Sequence, residues 1–246
     1  MVIALLADIH SNLEALEACL AHARSHGAAE FAFLGDLVGY GADPGAVIDL
    51  VAEHASRGAV VVKGNHDAAI SGSKAYLNDA AAAAIVWSRG VLSPAQRAFL
   101  DELPLCVRKG PSCFVHASAE SPERWAYVDS PGAAERSARA AATPYTFSGH
   151  VHEQSLYAEG IGQRMIAFRT QPAVAIPVGA HRAWLAIVGS VGQPRDGNPA
   201  ACYALADFDA KSVTFHRVAY DNFAAARKIR AAGLPGILAY RVERGV

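Results

Sequence analysis

The sequence has few cysteines, few charged residues and no long apolar run. Its four cysteines include no Cys-x-x-Cys pair, which argues against a disulfide scaffold and against a thiolate zinc site. Charged residues make up 18% of the 246 residues, with 22 basic and 23 acidic side chains. This balance gives no general attraction to nucleic acid or to an anionic membrane.

The apolar runs are too short for a membrane protein. No stretch reaches the ~18 apolar residues that a membrane-spanning helix requires. The N-terminal apolar run is interrupted at Asp8 and lacks the basic segment that begins a signal peptide. We therefore predict a soluble, cytoplasmic protein that has no membrane partner and does not bind duplex nucleic acid.

The distribution of apolar residues predicts a single α/β domain. Hydrophobic residues account for 52% of the chain, which is ample for a core, and no linker divides the sequence. In the first part of the chain, short apolar runs alternate with stretches of helical periodicity, as in βαβ units with a parallel sheet. After about residue 155, closely spaced apolar runs separated by turns favour antiparallel pairing. We assign residues 1–246 to one domain.

The predicted elements follow from periodicity and from helix-capping residues. Ser11 and Glu14 have the spacing of a capping box, and Pro44 and Pro94 are placed to begin helices. Predicted strands cover residues 2–7, 30–36, 59–67, 112–118 and 145–152, followed by 164–169, 173–179, 183–190, 201–209 and 212–220. Predicted helices cover residues 11–27, 44–58, 76–104, 130–144 and 222–233.

Polar side chains follow the first five predicted strands at the point where each strand ends. In an open α/β sheet, binding sites form beyond the carboxyl ends of the strands. A lone buried histidine is usually only hydrogen-bonded, but five strand ends in succession are hard to attribute to turn chemistry. The residues are Asp8 and His10, then Asp36, then Asn65, His66 and Asp67, then His116, and finally His150 and His152.

The spacing and donor chemistry of these residues predict a metal site. Asp8 and His10 are two positions apart, as are His150 and His152, so each pair projects to one side of an extended chain. Oxygen and imidazole donors without thiolate suit Mn, Fe, Zn or Ni. About seven candidate ligands exceed the four of one tetrahedral ion, so they fit two ions that share a bridging carboxylate.

The same residues carry a resemblance to a known family. The order "DIHSN", "GDLVGYG", "GNHD", "VHAS" and "GHVH" resembles the calcineurin-like metallophosphoesterases. The later segments "GSVGQPRDG" and "KIRAAGLP" look like the small bacterial and archaeal phosphodiesterase branch. This resemblance implies an αββα sandwich, in which two mixed β-sheets pack face to face and are flanked by helices.

The resemblance also implies a role for each site residue. Asp8, His10 and His152 would hold one metal ion, and Asn65, His116 and His150 would hold a second. Asp36 would bridge the two ions. His66, beside Asn65, resembles the catalytic histidine of the family, which protonates the leaving oxygen or stabilises the transition state.

The implied function is metal-dependent hydrolysis of phosphate esters, with manganese as the favoured ion. Gly39 and Tyr40 stand where protein phosphatases of the family carry an aspartate and a phosphate-binding arginine. Their absence argues against a protein phosphatase and weakly favours diesters among small or nucleotide-type substrates. A phosphomonoesterase, a diadenosine-polyphosphate hydrolase and a non-catalytic metal-stabilised scaffold stay open. An exposed sheet edge also makes a homo-oligomer possible.

Several further residues have two readings. Asp67 is expected to cap the segment that follows it, although it could instead orient a neighbour. Arg195 lies in a turn and could reach a substrate phosphate, while Trp125 could pack on the sheet or stack on a nucleobase. Tyr40 could line the pocket. The remaining histidines are expected at the surface or in packing, namely His22, His26, His54, His181 and His216.

Overall fold

The predicted site residues follow strands of two β-sheets rather than of one. The structure is a computed structural model that describes residues 1–72 and 77–246. Within these residues, the strands form two six-stranded mixed sheets. The first two thirds of the chain supply most of the parallel strands, as predicted, and most of the later strands pair antiparallel. The exception is the strand Trp184–Val188, which was expected to pair antiparallel but lies parallel to the strand Tyr145–Ser148.

The first sheet contains six of the described strands, namely β1 (Val2–Leu6), β2 (Glu30–Phe33), β3 (Val60–Val61), β9 (Ala175–Pro177), β11 (Ala201–Asp207) and β12 (Ser212–Val218). Their order across the sheet is β3-β2-β1-β11-β12-β9. Strands β1 to β3 are parallel, and β11, β12 and β9 continue the sheet in antiparallel register.

The second sheet contains the other six described strands, namely β4 (Cys106–Lys109), β5 (Ser112–Val115), β6 (Tyr145–Ser148), β7 (Gln154–Glu159), β8 (Met165–Phe168) and β10 (Trp184–Val188). Their order across the sheet is β4-β5-β6-β10-β7-β8. The central strands β5, β6 and β10 are parallel, and the outer pairs are antiparallel.

Helices cover the outer faces of the sheets. The helices are α1 (Leu13–Ser25), α2 (Pro44–Ser56), α3 (Asn65–Ile70), α4 (Asp79–Val91), α5 (Pro94–Glu102), α6 (Pro131–Ala141), α7 (Asn222–Ala231) and α8 (Gly236–Arg244). Of the predicted helix at 76–104, Tyr76 lies outside the described residues. Within residues 1–72 and 77–246, no helix combines the length and the apolar character needed to cross a membrane.

The alternation of side chains along the strands creates the layers. Leu5 of β1 packs with Phe147 of the second sheet and Phe215 of the first, in an apolar layer between the two sheets. Leu6, one position further along, points the other way and packs with Leu16 of α1. This period of two buries both faces of each sheet. The αββα sandwich implied by the sequence resemblance is thereby confirmed.

Some local predictions were wrong. The capping box at Ser11 is absent, because Ser11 has a left-handed backbone (φ 54°) and its N–H donates to the Leu37 carbonyl. The side chain of Asn12 caps α1 instead, by accepting from the Ala15 N–H at 3.1 Å. The third strand is shorter than predicted, because α3 begins at Asn65. Strands β4 and β7 and helix α8 were not predicted.

A cluster of three histidines lies at the outer face of the first sheet. At the C-terminal end of α1, the rings of His22 and His26 stack with their centroids 4.0 Å apart, and the ring of His216 of β12 lies 5.1 and 5.2 Å from them. The Tyr203 hydroxyl lies 2.7 Å from His22 Nδ1. Burial and the neighbouring His22 lower the pKa of His216 to about 4. The neutral ring is therefore the form that packs here.

The cluster predicts a loss of stability in weak acid that His216→Phe should reduce. As the pH falls from 6.5 toward about 4, unfolded His216 binds a proton that the packed ring does not, so the free energy of unfolding decreases. Urea unfolding of the metal-free protein at several pH values in this window measures the effect. His181→Phe is the matched control outside the cluster. Parallel pH profiles for wild type and His216→Phe would contradict the assignment.

Candidate metal centre

All of the predicted metal ligands meet where the carboxyl ends of the two sheets adjoin. Asp8 and His10 follow β1, and Asp36 follows β2, so these residues come from the first sheet. His116 follows β5, and His150 and His152 follow β6, so these come from the second. Asn65 opens α3 after β3, and every one of these side chains is buried. The convergence predicted for one crevice therefore occurs across two sheets.

The loops that carry these side chains have a strained backbone. Asp8, His10, Asp36, His150 and His152 all have left-handed φ angles, between 50° and 68°. This conformation is uncommon for residues other than glycine, and such strain tends to persist at functional sites. Backbone hydrogen bonds hold it in place, including that from the His10 N–H to the Asp36 carbonyl at 2.9 Å.

Two glycines allow the loops to approach each other. A Cβ at Gly64 would clash with the Asp36 carboxylate, and a Cβ at Gly149 would clash with that of Asp8. Without those atoms, the His66 N–H donates to Asp36 Oδ1 at 2.8 Å, and the His150 N–H donates to Asp8 Oδ2 at 2.8 Å. The glycines thus permit the close approach of these loops.

Main-chain carbonyls orient three of the imidazoles. The Nδ1 atoms of His10, His116 and His152 lie 3.2, 2.8 and 2.6 Å from the carbonyl oxygens of Val38, Leu34 and Gln193. Because a carbonyl oxygen can only accept, each Nδ1 carries a hydrogen and donates it to its carbonyl, and each Nε2 faces the other site residues. Metal-binding histidines are commonly held in this way.

The donor atoms form two groups. In the first, His152 Nε2 lies 3.2 Å from both His10 Nε2 and Asp8 Oδ1. In the second, His116 Nε2 lies 3.0 Å from His150 Nδ1 and 3.2 Å from Asn65 Oδ1. Each group has the mixed oxygen and nitrogen donors that suit a divalent transition metal.

Asp36 lies between the two groups. Its Oδ2 atom is 3.7 Å from His10 Nε2 and 3.5 Å from His116 Nε2. One carboxylate oxygen therefore faces both groups, and the side chain is only 2% exposed.

The electrostatics of the site fit the binding of cations. Burial opposes ionisation of Asp8, but the His152 and His116 charges outweigh it and hold the pKa of Asp8 at about 2. Burial also lowers the pKa of His150 to about 3, which keeps that ring in its metal-binding form. The carboxylates of Asp36 and Asp8 overcome burial and raise the pKa of His116 to about 9, so they attract positive charge. Among the described residues, no hydrogen-bond donor reaches the buried Asp8 Oδ1 atom, and a cation would satisfy it.

His66 lies at the edge of the ligand groups. Its Nε2 is 3.9 Å from Asp36 Oδ2, and its ring centroid is 4.8 Å from that of His10. The Nδ1 atom is buried and has no hydrogen-bond partner within residues 1–72 and 77–246, and a Cβ at Gly39 would clash with it. Gly39 therefore stands where a longer side chain would contact this ring, and burial lowers the pKa of His66.

Asp67 combines the two roles considered for it. Its Oδ2 accepts from the Gly64 N–H at 2.9 Å and caps α3. Its Oδ1 accepts from the N–H groups of Leu37 and Val38, at 2.9 and 3.2 Å. This buried carboxylate therefore ties the loop after Asp36 to the start of the helix that carries His66.

The site opens into a cavity of about 240 Å³. Tyr40 lines it, with its ring centroid 4.4 Å from His10 and 4.6 Å from His66. Tyr127 also lines it and stacks on His150 at 4.2 Å, whereas Trp125 lies edge-on to His116 at 6.0 Å. Arg195 lines the same cavity.

Sequence reasoning missed Arg241, which lines the cavity from α8. The apolar spacing of Leu238 and Val242 could have predicted that helix, but nothing in it indicates which arginine reaches the site. The cavity lining does not include the histidines that were predicted at the surface or in packing, namely His22, His26, His54, His181 and His216.

This chain is similar to known proteins over nearly its whole length. A profile of the Calcineurin-like phosphoesterase superfamily domain matches residues 1–211. An uncharacterized protein of Methanocaldococcus jannaschii is 34% identical over 259 residues, an alignment that covers 99% of this chain and 98% of the relative.

Solved structures share the architecture. The crystal structure of a metallophosphoesterase from Sphaerobacter thermophilus is 34% identical, with a TM-score of 0.89 over 100% of this chain and 99% of that one. A hypothetical protein from Pyrococcus horikoshii is 20% identical, with a TM-score of 0.78 over 100% and 98% of the two chains, and this likeness supports the fold alone. From the profile match and the relatives at 34% identity, the chain belongs to the calcineurin-like phosphoesterase superfamily.

Proposed function

We propose that this protein is a two-metal phosphodiesterase that acts on small or nucleotide-type phosphate esters. The observation that carries the proposal is the position of Asp36, whose Oδ2 faces both donor groups. Asp8, His10 and His152 would hold one ion, and Asn65, His116 and His150 the other, with Asp36 shared between them. Two divalent ions in such a site supply the charge that binds the phosphate and activates water, and manganese is the ion we favour.

The proposed role of His66 is to assist the leaving group. Its ring lines the cavity beside Asp36, where a bound phosphate ester would lie. From that position, His66 would donate a hydrogen bond or a proton to the leaving oxygen. The backbone N–H of His66 donates to Asp36 Oδ1, so the residue is fixed relative to the proposed ligands.

The preference for diesters rests on the loop after Asp36. Gly39 and Tyr40 provide neither an acid for His66 nor an arginine for the phosphate, and no described residue forms a hydrogen bond with the Nδ1 atom of His66. A phosphomonoesterase is the second candidate, because Arg195 and Arg241 line the cavity and could bind a dianionic phosphate. The single domain, the cytoplasmic location and a homo-oligomeric state stay predictions.

Hydrolysis of two chromogenic esters tests the function. Metal-stripped protein supplied with Mn²⁺ should cleave bis-p-nitrophenyl phosphate faster than p-nitrophenyl phosphate, because the loop after Asp36 provides no arginine for a dianionic phosphate. The release of p-nitrophenolate measures both reactions. Faster cleavage of the monoester would favour the phosphomonoesterase. Cleavage of neither ester by protein with two bound ions would favour a metal-stabilised scaffold.

His66→Ala should lower the turnover number by roughly 10²–10⁴-fold, the usual contribution of a general acid, while metal content is retained. Steady-state kinetics and elemental analysis of the same preparation provide the two readouts. The loss should be larger for esters with poorly leaving alcohols than for nitrophenyl esters. Full activity of His66→Ala on a poorly leaving ester would contradict the assigned role.

Asp36→Asn should lose metal as well as activity, because the amide carries no charge to share between two cations. The asparagine side chain keeps an oxygen that can accept from the backbone N–H of His66, so this hydrogen bond is retained. Elemental analysis after dialysis against a fixed Mn²⁺ concentration measures the stoichiometry. Asp129→Asn, at an exposed acid, is the control. Retention of two ions by Asp36→Asn would show that this carboxylate does not bridge them.

A further inference from the structure

Two arginines face the cavity without an acidic partner. Arg195 and Arg241 both line it and are half-buried. Their acidic neighbours in the sequence are already engaged, since Asp196 pairs with Arg217 and Glu243 pairs with Arg230. In the described part of the chain, no carboxylate forms an ion pair with either Arg195 or Arg241. Such uncompensated guanidinium groups are suited to bind an anion.

Tyr40 links this pair to the metal centre. The Tyr40 ring contacts the imidazoles of His10 and His66, and its hydroxyl accepts from Arg195 Nη2 at 3.2 Å. The guanidinium carbon of Arg195 lies 5.8 Å from the centre of the Tyr40 ring. Arg241 lines the same cavity from α8, as Tyr40 and Arg195 do from their loops.

The arginines are set apart from the metal-binding carboxylates. Among the described residues, Asp8 and Asp36 pair only with histidines. An anion at Arg195 and Arg241 would therefore lie beside the proposed metal centre and not within it.

The charges of the site also call for a second anionic group. Two divalent ions would carry four positive charges, which Asp8, Asp36, the attacking hydroxide and a singly charged diester phosphate would balance. The two guanidinium groups would then be left without compensation in a partly desolvated cavity, which is costly.

We infer that Arg195, Tyr40 and Arg241 form a binding site for a second phosphate of the substrate, next to the one that is hydrolysed. The inference rests on the proposed function and defines its substrate class. The substrates of this class are phosphate diesters in which one of the two groups on the scissile phosphorus carries a second phosphate close to the first. Simple diesters such as bis-p-nitrophenyl phosphate would use only the metal-binding part of the cavity.

Calorimetric binding to the full-length, Mn²⁺-loaded protein tests this assignment without requiring hydrolysis. The probes are methylenediphosphonate, which carries two adjacent phosphonates, and methylphosphonate, which carries one. Excess Mn²⁺ is kept in both solutions, so that chelation of the ion by the probe does not vary. The wild-type protein should bind the diphosphonate at least about tenfold more tightly, as one additional charge-assisted contact predicts.

Arg195→Ala and Arg241→Ala should each weaken binding of the diphosphonate by about 10- to 100-fold, with a smaller effect on methylphosphonate. Arg195→Lys should recover part of the loss, because it retains the charge but not the two-pronged geometry. Arg244→Ala, on the same helix but exposed, should bind both probes as the wild type does. Thermal melting and metal content show whether each variant is folded and loaded.

Three outcomes would overturn the inference. These are equal affinity of the wild type for the two probes, equal loss of both probes in the arginine variants, and no loss of either. Equal loss of both would place the arginines on the scissile phosphate, as in a phosphomonoesterase. An arginine-dependent diphosphonate preference in a protein that hydrolyses neither nitrophenyl ester would instead support the binding site and refute the proposed hydrolysis.

Discussion

The burial of two carboxylates at the junction of the sheets is the constraint on which the rest of the site depends. Asp8 and Asp36 are almost fully inaccessible to solvent, and an isolated buried carboxylate is strongly unfavourable. Histidines, backbone N–H groups and, in our proposal, metal ions compensate for that cost. The left-handed loops that present these residues have an unfavourable backbone, and the surrounding sandwich fixes them in place.

Much of this site could be predicted because its chemistry is concentrated in short sequence segments. Asp8 with His10, and His150 with His152, are close pairs that directly follow apolar runs, and strand ends determine where such pairs lie. The αββα architecture followed from the family resemblance, and the alternation of apolar residues in β1 is consistent with it. Local sequence pattern therefore contained most of the information about which residues converge at the site.

Other features depend on contacts between distant segments and could not be predicted in this way. Ser11 has the sequence of a helix cap, but its N–H is used by the Leu37 carbonyl, so Asn12 caps the helix. The approach of Arg241 to the cavity requires the packing of α8 near the chain end, which periodicity alone does not define. Similarly, Asp67 was recognised as a cap, but its bonds to Leu37 and Val38 join segments thirty residues apart.

The division of the proposed metal ligands between two sheets has a mechanical consequence. Asp8 and Asp36 belong to loops of the first sheet, and His116 and His150 belong to loops of the second. Any ion that binds both sets of residues would cross-link the two sheets of the sandwich. Opening of either half would then release the ion, so the resistance of the fold to unfolding would increase with the free metal concentration.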